Sequence, residues 1–255
     1  MTSQCSPEVT FDRLVQKFED MVRSLDNVPL LDKKESLFSA NRKTGFSINF
    51  PIPLTCKPTK LCARECYAVM LNKPITWNNS LLKQLKIQQY FCHTDTDVVA
   101  QRVIKEYHRR RLKWIRWCGS GDLFPEAVKV INRVCELDPS VVQLVVTRIP
   151  AMANKLCQHK NLFIMFSLDE DPESKKRQAK LKPNPRMYFS FLRTKANQDT
   201  MNAEIIFNSQ KLKKVLPYDD KRRCCPVDAA QLEVEGACDK CRKCFSEHVF
   251  INRGN

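Results

Sequence analysis

The sequence predicts an α/β protein: a partial (β/α) barrel of about six units with a C-terminal cysteine-rich, metal-binding extension. Strand-like and helix-like segments alternate through the middle of the chain, which implies right-handed βαβ connections and a parallel sheet. Strand candidates such as Val141–Thr147 are mostly apolar, as expected of buried strands in a parallel sheet. Only five glycines occur in 255 residues, and two of them sit directly after a strand candidate, in Gly119-Ser120-Gly121-Asp122.

Residues 8–25 place Phe11, Leu14, Val15, Phe18, Val22 and Leu25 on one face, the signature of an amphipathic helix preceding the core. Phe46–Leu54 reads as a strand, and residues 78–91 and 97–112 read as helices. Lys113–Cys118 is a strand leading into the glycine turn. Trp114 and Trp117, three apart on it, point to opposite faces. Pro125–Leu137 is a helix with proline near its first position. Val141–Thr147 is a buried strand, Pro150–Cys157 a short helix and Leu162–Leu168 a further strand. Arg186–Phe191 and Glu204–Asn208 continue the alternation. The domain reading is an N-terminal helical extension over 1–40, the partial barrel over 41–215 and the cysteine-rich extension over 216–255.

Cysteine carries the chemistry. Thirteen cysteines in 255 residues fall below the density of secreted disulfide scaffolds. The opening MTSQCSPEVTFDRLV lacks a signal peptide's apolar core and cleavage site. No apolar stretch reaches the ~18–20 residues of a bilayer span. The expected location is therefore the cytoplasm, of the host cell if viral, with no membrane partner. In that compartment closely spaced cysteines read as metal ligands or redox groups. Cys92, Cys118, Cys135 and Cys157 are scattered and read as small buried hydrophobes.

Cys56, Cys62 and Cys66 are spaced C-x5-C-x3-C in one loop after a strand. Structural zinc wants four closed ligands, and no fourth Cys or His lies within the loop. Three thiolates suit a four-iron, four-sulfur (4Fe–4S) cluster with one iron open to a small molecule. Near the other terminus Cys225, Cys238, Cys241 and Cys244 follow C-x12-C-x2-C-x2-C, interleaved with charged residues that cannot pack a core. Four thiolates can close a zinc site or hold a second, fully ligated cluster.

The glycine turn permits positive φ and close ligand approach, and in parallel α/β sheets ligands bind at the carboxyl ends of strands. Asp122 in this turn can receive an ammonium group, or cap the following helix. The net charge of +15 favours an anionic partner, DNA or RNA, through the basic segments 105–116, 174–182 and 211–223. No phosphate-binding P-loop, dinucleotide fingerprint, nucleophile elbow or HExxH pattern occurs, which excludes those enzyme classes from the reading.

The three-cysteine loop, the glycine-rich acidic turn and the β/α alternation together resemble the radical S-adenosylmethionine superfamily. More narrowly, SINFPIPLTCKPTKLCARECYA, RWCGSGDLFPEAV, QLVVTRIPAMANKL and the terminal cysteine set resemble the phage gene product 88 family. The CYA, GSGDLF and TR-x-P elements are also similar to phage proteins related to spore photoproduct lyase. The resemblance implies that Cys56, Cys62 and Cys66 hold the cluster and that its open iron chelates S-adenosylmethionine. Reduction would then yield a 5′-deoxyadenosyl radical that abstracts hydrogen from substrate, with an electron donor as partner. It further implies that Gly119, Ser120, Gly121 and Asp122 receive the methionine end of the cofactor, and that Ser167 and Asp169 contact its ribose or carboxylate. The terminal cysteines would then hold an auxiliary cluster. Two departures stand out: the superfamily's usual loop is C-x3-C-x2-C, and Glu65 replaces the aromatic that ordinarily precedes its last cysteine, with Tyr67 following instead. The competing expectation is a non-enzymatic nucleic-acid-binding protein stapled by iron–sulfur or zinc.

Overall fold

The computed structural model describes residues 12–13, 15–16, 19–20, 22–23, 28, 30–66, 74–195, 198–209, 212, 223–228 and 232–251. Its centre is a seven-stranded sheet whose spatial order is its sequence order. The strands are β1 (Ser39–Asn41), β2 (Gly45–Ile48), β3 (Ile115–Trp117), β4 (Gln143–Thr147), β5 (Leu162–Leu168), β6 (Met187–Arg193) and β7 (Ile205–Asn208). β1 runs antiparallel to β2, and every later neighbour pair is parallel. This is a mixed α/β architecture with a mostly parallel sheet.

The hairpin between β1 and β2 is closed by Asn41, whose Oδ1 accepts the Lys43 and Thr44 amides at 2.9 and 3.0 Å. Parallel strands in sequence order, joined by right-handed crossovers, put their connecting helices on one face. The side chains follow. Along β5, Leu162, Ile164, Phe166 and Leu168 enter the main core with the helices, whereas Phe163 and Met165 enter a second core on the other face. Trp117 belongs to the first core and Trp114 to the second, as the strand period requires. The second core is covered by the C-terminal residues. Phe245 stacks on Trp114 with centroids 4.1 Å apart, and Tyr188 Oη donates to the Cys244 carbonyl at 2.6 Å.

The helices that matter for the site are α1 (Ile52–Thr55), α2 (Lys60–Arg64), α3 (Pro74–His93), α4 (Thr96–Arg109), α5 (Pro125–Leu137), α6 (Pro150–Ala153), α7 (Pro172–Gln178) and α8 (Ala237–Cys241). Asp95 caps α4 by accepting the Asp97 and Val98 amides, and Asp171 caps α7 by accepting the Glu173 amide. α5 starts with Pro125 and buries Ala127, Val128, Val130, Ile131, Val134 and Cys135.

Two details differ from the sequence reading. The strand expected over 46–54 stops at Ile48. Pro51 and Pro53 have no amide for a ladder, and Pro51 instead caps the four-residue α1. The sheet also has an added antiparallel strand, β1, on the edge of β2, which the sequence reading did not include. In the expected N-terminal helix the described residues 12–13, 15–16, 19–20 and 22–23 are helical, and the rest of 8–25 lies outside the described residues, as do Tyr67 and most of 211–223. Among the described residues no helix is long and apolar enough to cross a membrane.

Candidate functional site

The three-cysteine loop and the glycine turn meet because β2 and β3 are parallel neighbours, Ile48 opposite Trp117. A Cβ on Gly119 would lie 2.5 Å from Asn49 Oδ1, and one on Gly121 would overlap the Phe50 carbonyl. Gly121 also has φ +78°, in the left-handed region. Bonds lock the two segments together: Phe50 N–H to Ser120 O at 3.1 Å, Ser120 N–H to Asn49 Oδ1 at 3.1 Å, and Asp122 N–H to Thr55 Oγ1 at 2.9 Å. Gly119 is thus explained by the Ser47 and Asn49 side chains, and Gly121 by the Phe50 backbone and the Thr55 hydroxyl lying directly on the turn.

Cys56 ends α1, Cys62 lies in α2 and Cys66 follows it. The far side of the loop is held by β5. Thr59 caps α2 by accepting the Cys62 amide at 3.0 Å, and its hydroxyl donates to Asp169 Oδ2 at 2.7 Å. Asp169 is fully buried; it also accepts the Asp171 amide at 3.0 Å and pairs with the Arg148 guanidinium. Lys60 N–H donates to Asp171 Oδ2 at 3.2 Å, and Arg177 bonds the Lys57 carbonyl. Burial pushes the Cys56 thiol well up, reinforced by the charges of Asp122, Cys62 and Cys66. Burial also raises Cys62, against the opposing pull of Arg148.

Asp122 is buried, and most of its acceptor capacity is used inside the protein. Oδ1 accepts the Leu123 amide at 2.7 Å and the Thr147 hydroxyl at 2.6 Å; Oδ2 accepts the Arg148 amide at 3.0 Å. With about four lone-pair sites on a carboxylate, one on Oδ2 is left over. Burial pushes its pKa up to about 6, while these hydrogen bonds and the Arg148 charge pull the other way. Ser167 and Ser190 face each other across β5 and β6, with hydroxyls 3.1 Å apart. Of the residues predicted to touch a cofactor, Asp122 and Asp169 therefore act first as struts that tie β3 to β4 and β5 to the Cys loop.

The terminal cysteines gather elsewhere. Cys225 N–H donates to Ile206 O at 3.0 Å beside β7, and Cys238 N–H donates to Lys43 O at 3.1 Å on the hairpin before β2. The Cys244 thiol is pushed up by burial and then by Cys225, Cys238 and Cys241; the Cys238 thiol is pushed up to about 11 by burial, with Lys43 and Arg116 opposing. Because loop 56–66 follows β2 and Lys43 precedes it, the two sets sit at opposite ends of the strands. Among the described residues no three His, Cys, Asp or Glu side chains are arranged to hold one metal ion.

A family model for gene product 88 matches residues 11–247, a span that contains both cysteine sets, the glycine turn and the Thr147-Arg148 strand end. The chain belongs to the gene product 88 family. No curated protein and no solved structure matches it.

Within this gene product 88 chain the sequence reading passed over Arg148. It follows β4 at the rim, its side chain is 15% exposed, and its charge is felt by Cys62, Asp169 and Asp122. The available signal was a lone arginine closing an otherwise apolar strand. Thr55 and Thr59, both buried, were passed over as well. The basic segments also separate. Lys175 and Lys176 are exposed on α7 near the exposed Lys57 and Lys60 of the Cys loop, and these four make no ion pair among the described residues. Residues 105–111 lie at the other end, before β3, where Arg110 packs over Phe46 and reaches Glu106.

Proposed function

We propose that this protein is a radical S-adenosylmethionine-type iron–sulfur enzyme acting on a nucleic acid. The observation that carries the proposal is the packing of the segment leading into the loop of Cys56, Cys62 and Cys66, at the carboxyl end of β2, against a turn whose Gly121 leaves no room for a side chain. The donor set fits the group. Three soft thiols without a fourth in the loop match a 4Fe–4S cluster with one open position, and a cluster spans wider ligand separations than a single ion does. When bound, the cluster and S-adenosylmethionine would supply one-electron reduction of a sulfonium and hydrogen abstraction from substrate.

The chain's own part is positioning and electrostatics. Thr59 and Asp169 fix the α2 end of the loop, and Thr55 fixes the α1 end through the Asp122 amide. The Arg148 guanidinium favours the thiolate form of Cys62. The Ser120 side chain and the remaining lone pair of Asp122 supply polar groups toward an amino-acid moiety. Lys57, Lys60, Lys175 and Lys176 give the same rim a positive border suited to phosphates.

Internal use of three acceptor positions on Asp122 favours a second reading, in which the turn is structural and the protein binds nucleic acid without catalysis. One experiment separates them. The anaerobically reconstituted protein is given S-adenosylmethionine and dithionite, and 5′-deoxyadenosine is followed by chromatography, with Cys56→Ala, Cys62→Ala and Cys66→Ala as controls. Product from the wild type and none from the controls supports the enzyme. A full cluster with no cofactor binding and no product leaves the binding protein.

A further inference from the structure

We infer that Arg148 is a phosphate receptor at the carboxyl end of β4: Asp169 holds its guanidinium through Nη1, leaving Nε and Nη2 for a phosphate of the bound nucleic acid. The inference rests on the nucleic-acid partner proposed above and is independent of radical chemistry.

Arg148 is fixed at both ends. Its amide donates to Asp122 Oδ2 at 3.0 Å, directly after the last residue of β4, and its Nη1 donates to Asp169 Oδ2. Asp169 is itself fully buried and is held by the Thr59 hydroxyl at 2.7 Å and the Asp171 amide at 3.0 Å. The rotamer freedom of a long cation is therefore lost on folding and not again when a ligand arrives.

The guanidinium carries five N–H donors. Arg186 shows how a structural arginine of this fold uses them. Its Nε donates to the Leu162 carbonyl at 3.0 Å, its Nη1 to Glu247 at 2.8 Å and its Nη2 to the Lys160 carbonyl at 2.6 Å. Arg148 uses Nη1 alone. Its Nε and Nη2 have no hydrogen-bond partner among the described residues, and the side chain keeps 15% of its surface open. Arg110 Nε and Arg116 Nε are buried without a partner; the Arg148 nitrogens are not among such atoms. The unused edge, Nε with Nη2, is the one whose two parallel N–H groups match a pair of oxyanion oxygens.

The surroundings decide which oxyanion. Thr59 shares Asp169 Oδ2 with Arg148 and is followed by Lys60, whose amide donates to Asp171 Oδ2 at 3.2 Å. Arg177 of α7 bonds the Lys57 carbonyl, so Lys175 and Lys176 border the same rim. A rigid fork behind four exposed lysines suits a phosphate, with several oxygens and its charge spread over them, better than a single carboxylate.

The test uses the metal-loaded full chain and fluorescence anisotropy of a labelled single-stranded oligonucleotide, with and without a 5′-phosphate, over a salt series. Arg148→Lys keeps the charge beside Asp169 but loses the fork, and should weaken binding about 10-fold with the salt slope unchanged. Arg148→Met combined with Asp169→Asn leaves no buried carboxylate unpaired and keeps an acceptor for Thr59. It should weaken binding about 10–100-fold and lower the slope by ~0.7. Loss confined to the 5′-phosphorylated strand assigns a terminal phosphate, and equal loss on both strands an internal one. Inorganic phosphate, added at constant ionic strength, should raise the melting temperature of the wild type and not of either variant. If the wild type binds no oligonucleotide but still shows this Arg148-dependent phosphate shift, the nucleic-acid reading falls and the receptor stands. Oligonucleotide affinity and phosphate response equal to wild type in folded Arg148→Lys, or no response of the wild type to either probe, overturns the receptor.

Discussion

The Thr59 hydroxyl lies 2.7 Å from Asp169 Oδ2, joining the Cys loop to the end of β5 across 110 residues of sequence. The same oxygen accepts the Cys62 amide, so a single side chain sets the start of α2 and its distance from the sheet. Asp169 in turn holds Arg148 and, through its own amide, Ser174 of α7.

Thr59→Val should therefore cost more than an ordinary cap. Cap loss is worth ~1 kcal/mol, and one buried carboxylate oxygen loses a donor at ~1–3 kcal/mol. The expected fall in melting temperature is about 4–16 °C, using ~2–4 °C per kcal/mol for a chain of this size. Thr59→Ser should recover most of it. Equal melting of Thr59→Val and wild type in differential scanning calorimetry would show that the bond does not support the loop.

Gly45 and Gly121 both have positive φ, but only Gly121 is crowded. Gly45→Ala meets nothing within 4 Å, so its cost is backbone strain alone, ~1–2 kcal/mol. Gly121→Ala adds overlap with the Phe50 carbonyl and should prevent the Cys loop from seating. Soluble Gly121→Ala protein with the denaturation midpoint of Gly45→Ala would contradict the packing described here.

Much of this was legible beforehand for simple reasons. Pro125 and the apolar spacing behind it fix α5 to the residue, and LFIMFSL is apolar enough to be β5 in any parallel sheet. The pairing of the Cys loop with the glycine turn was readable because both follow strands that are close in order. The roles of Asp122 and Asp169 were not. A carboxylate after a strand has the same sequence whether it faces a ligand or bonds Thr147 or Thr59, and those partners lie 25 and 110 residues away. The edge strand SAN is too short and polar to be read as a strand at all, and it exists because the Asn41 turn folds it onto β2.

Asp122 gives a pH signature. Its carboxyl titrates near 6 in the folded protein, above its ordinary value, because burial disfavours the anion. A raised carboxyl pKa means the folded state holds the proton more tightly. Its contribution is thus fully present below about pH 4 and is lost as pH rises through about 6. The amount is on the order of 2–3 kcal/mol. Urea titrations of wild type and Asp122→Asn between pH 4 and 7 should differ by a gap that changes over this window and is flat above it. A constant gap would mean the carboxyl is not protonated in the fold near pH 5.

The basic rim can be weighed against the other basic segment. Lys57, Lys60, Lys175 and Lys176 border the Cys loop and α7 without acidic partners among the described residues, whereas Arg109 and Arg110 already reach Glu106. If the rim receives a nucleic acid, each lysine contacting a phosphate releases counterions, and log affinity falls with log salt by ~0.7 per contact on single strands. Changing all four lysines to glutamine should lower that slope by up to about 3 and weaken binding most at low salt. Lys105, Arg109 and Arg111 changed to glutamine together should leave the slope near that of wild type. The measurement is fluorescence anisotropy of a labelled oligonucleotide over a salt series, with the metal-loaded full chain. A slope that falls only in the second variant moves the nucleic-acid surface to the opposite end of β3, away from the Cys56 loop. The enzyme reading would then lose its substrate class, because a strand bound there would have no route to the loop.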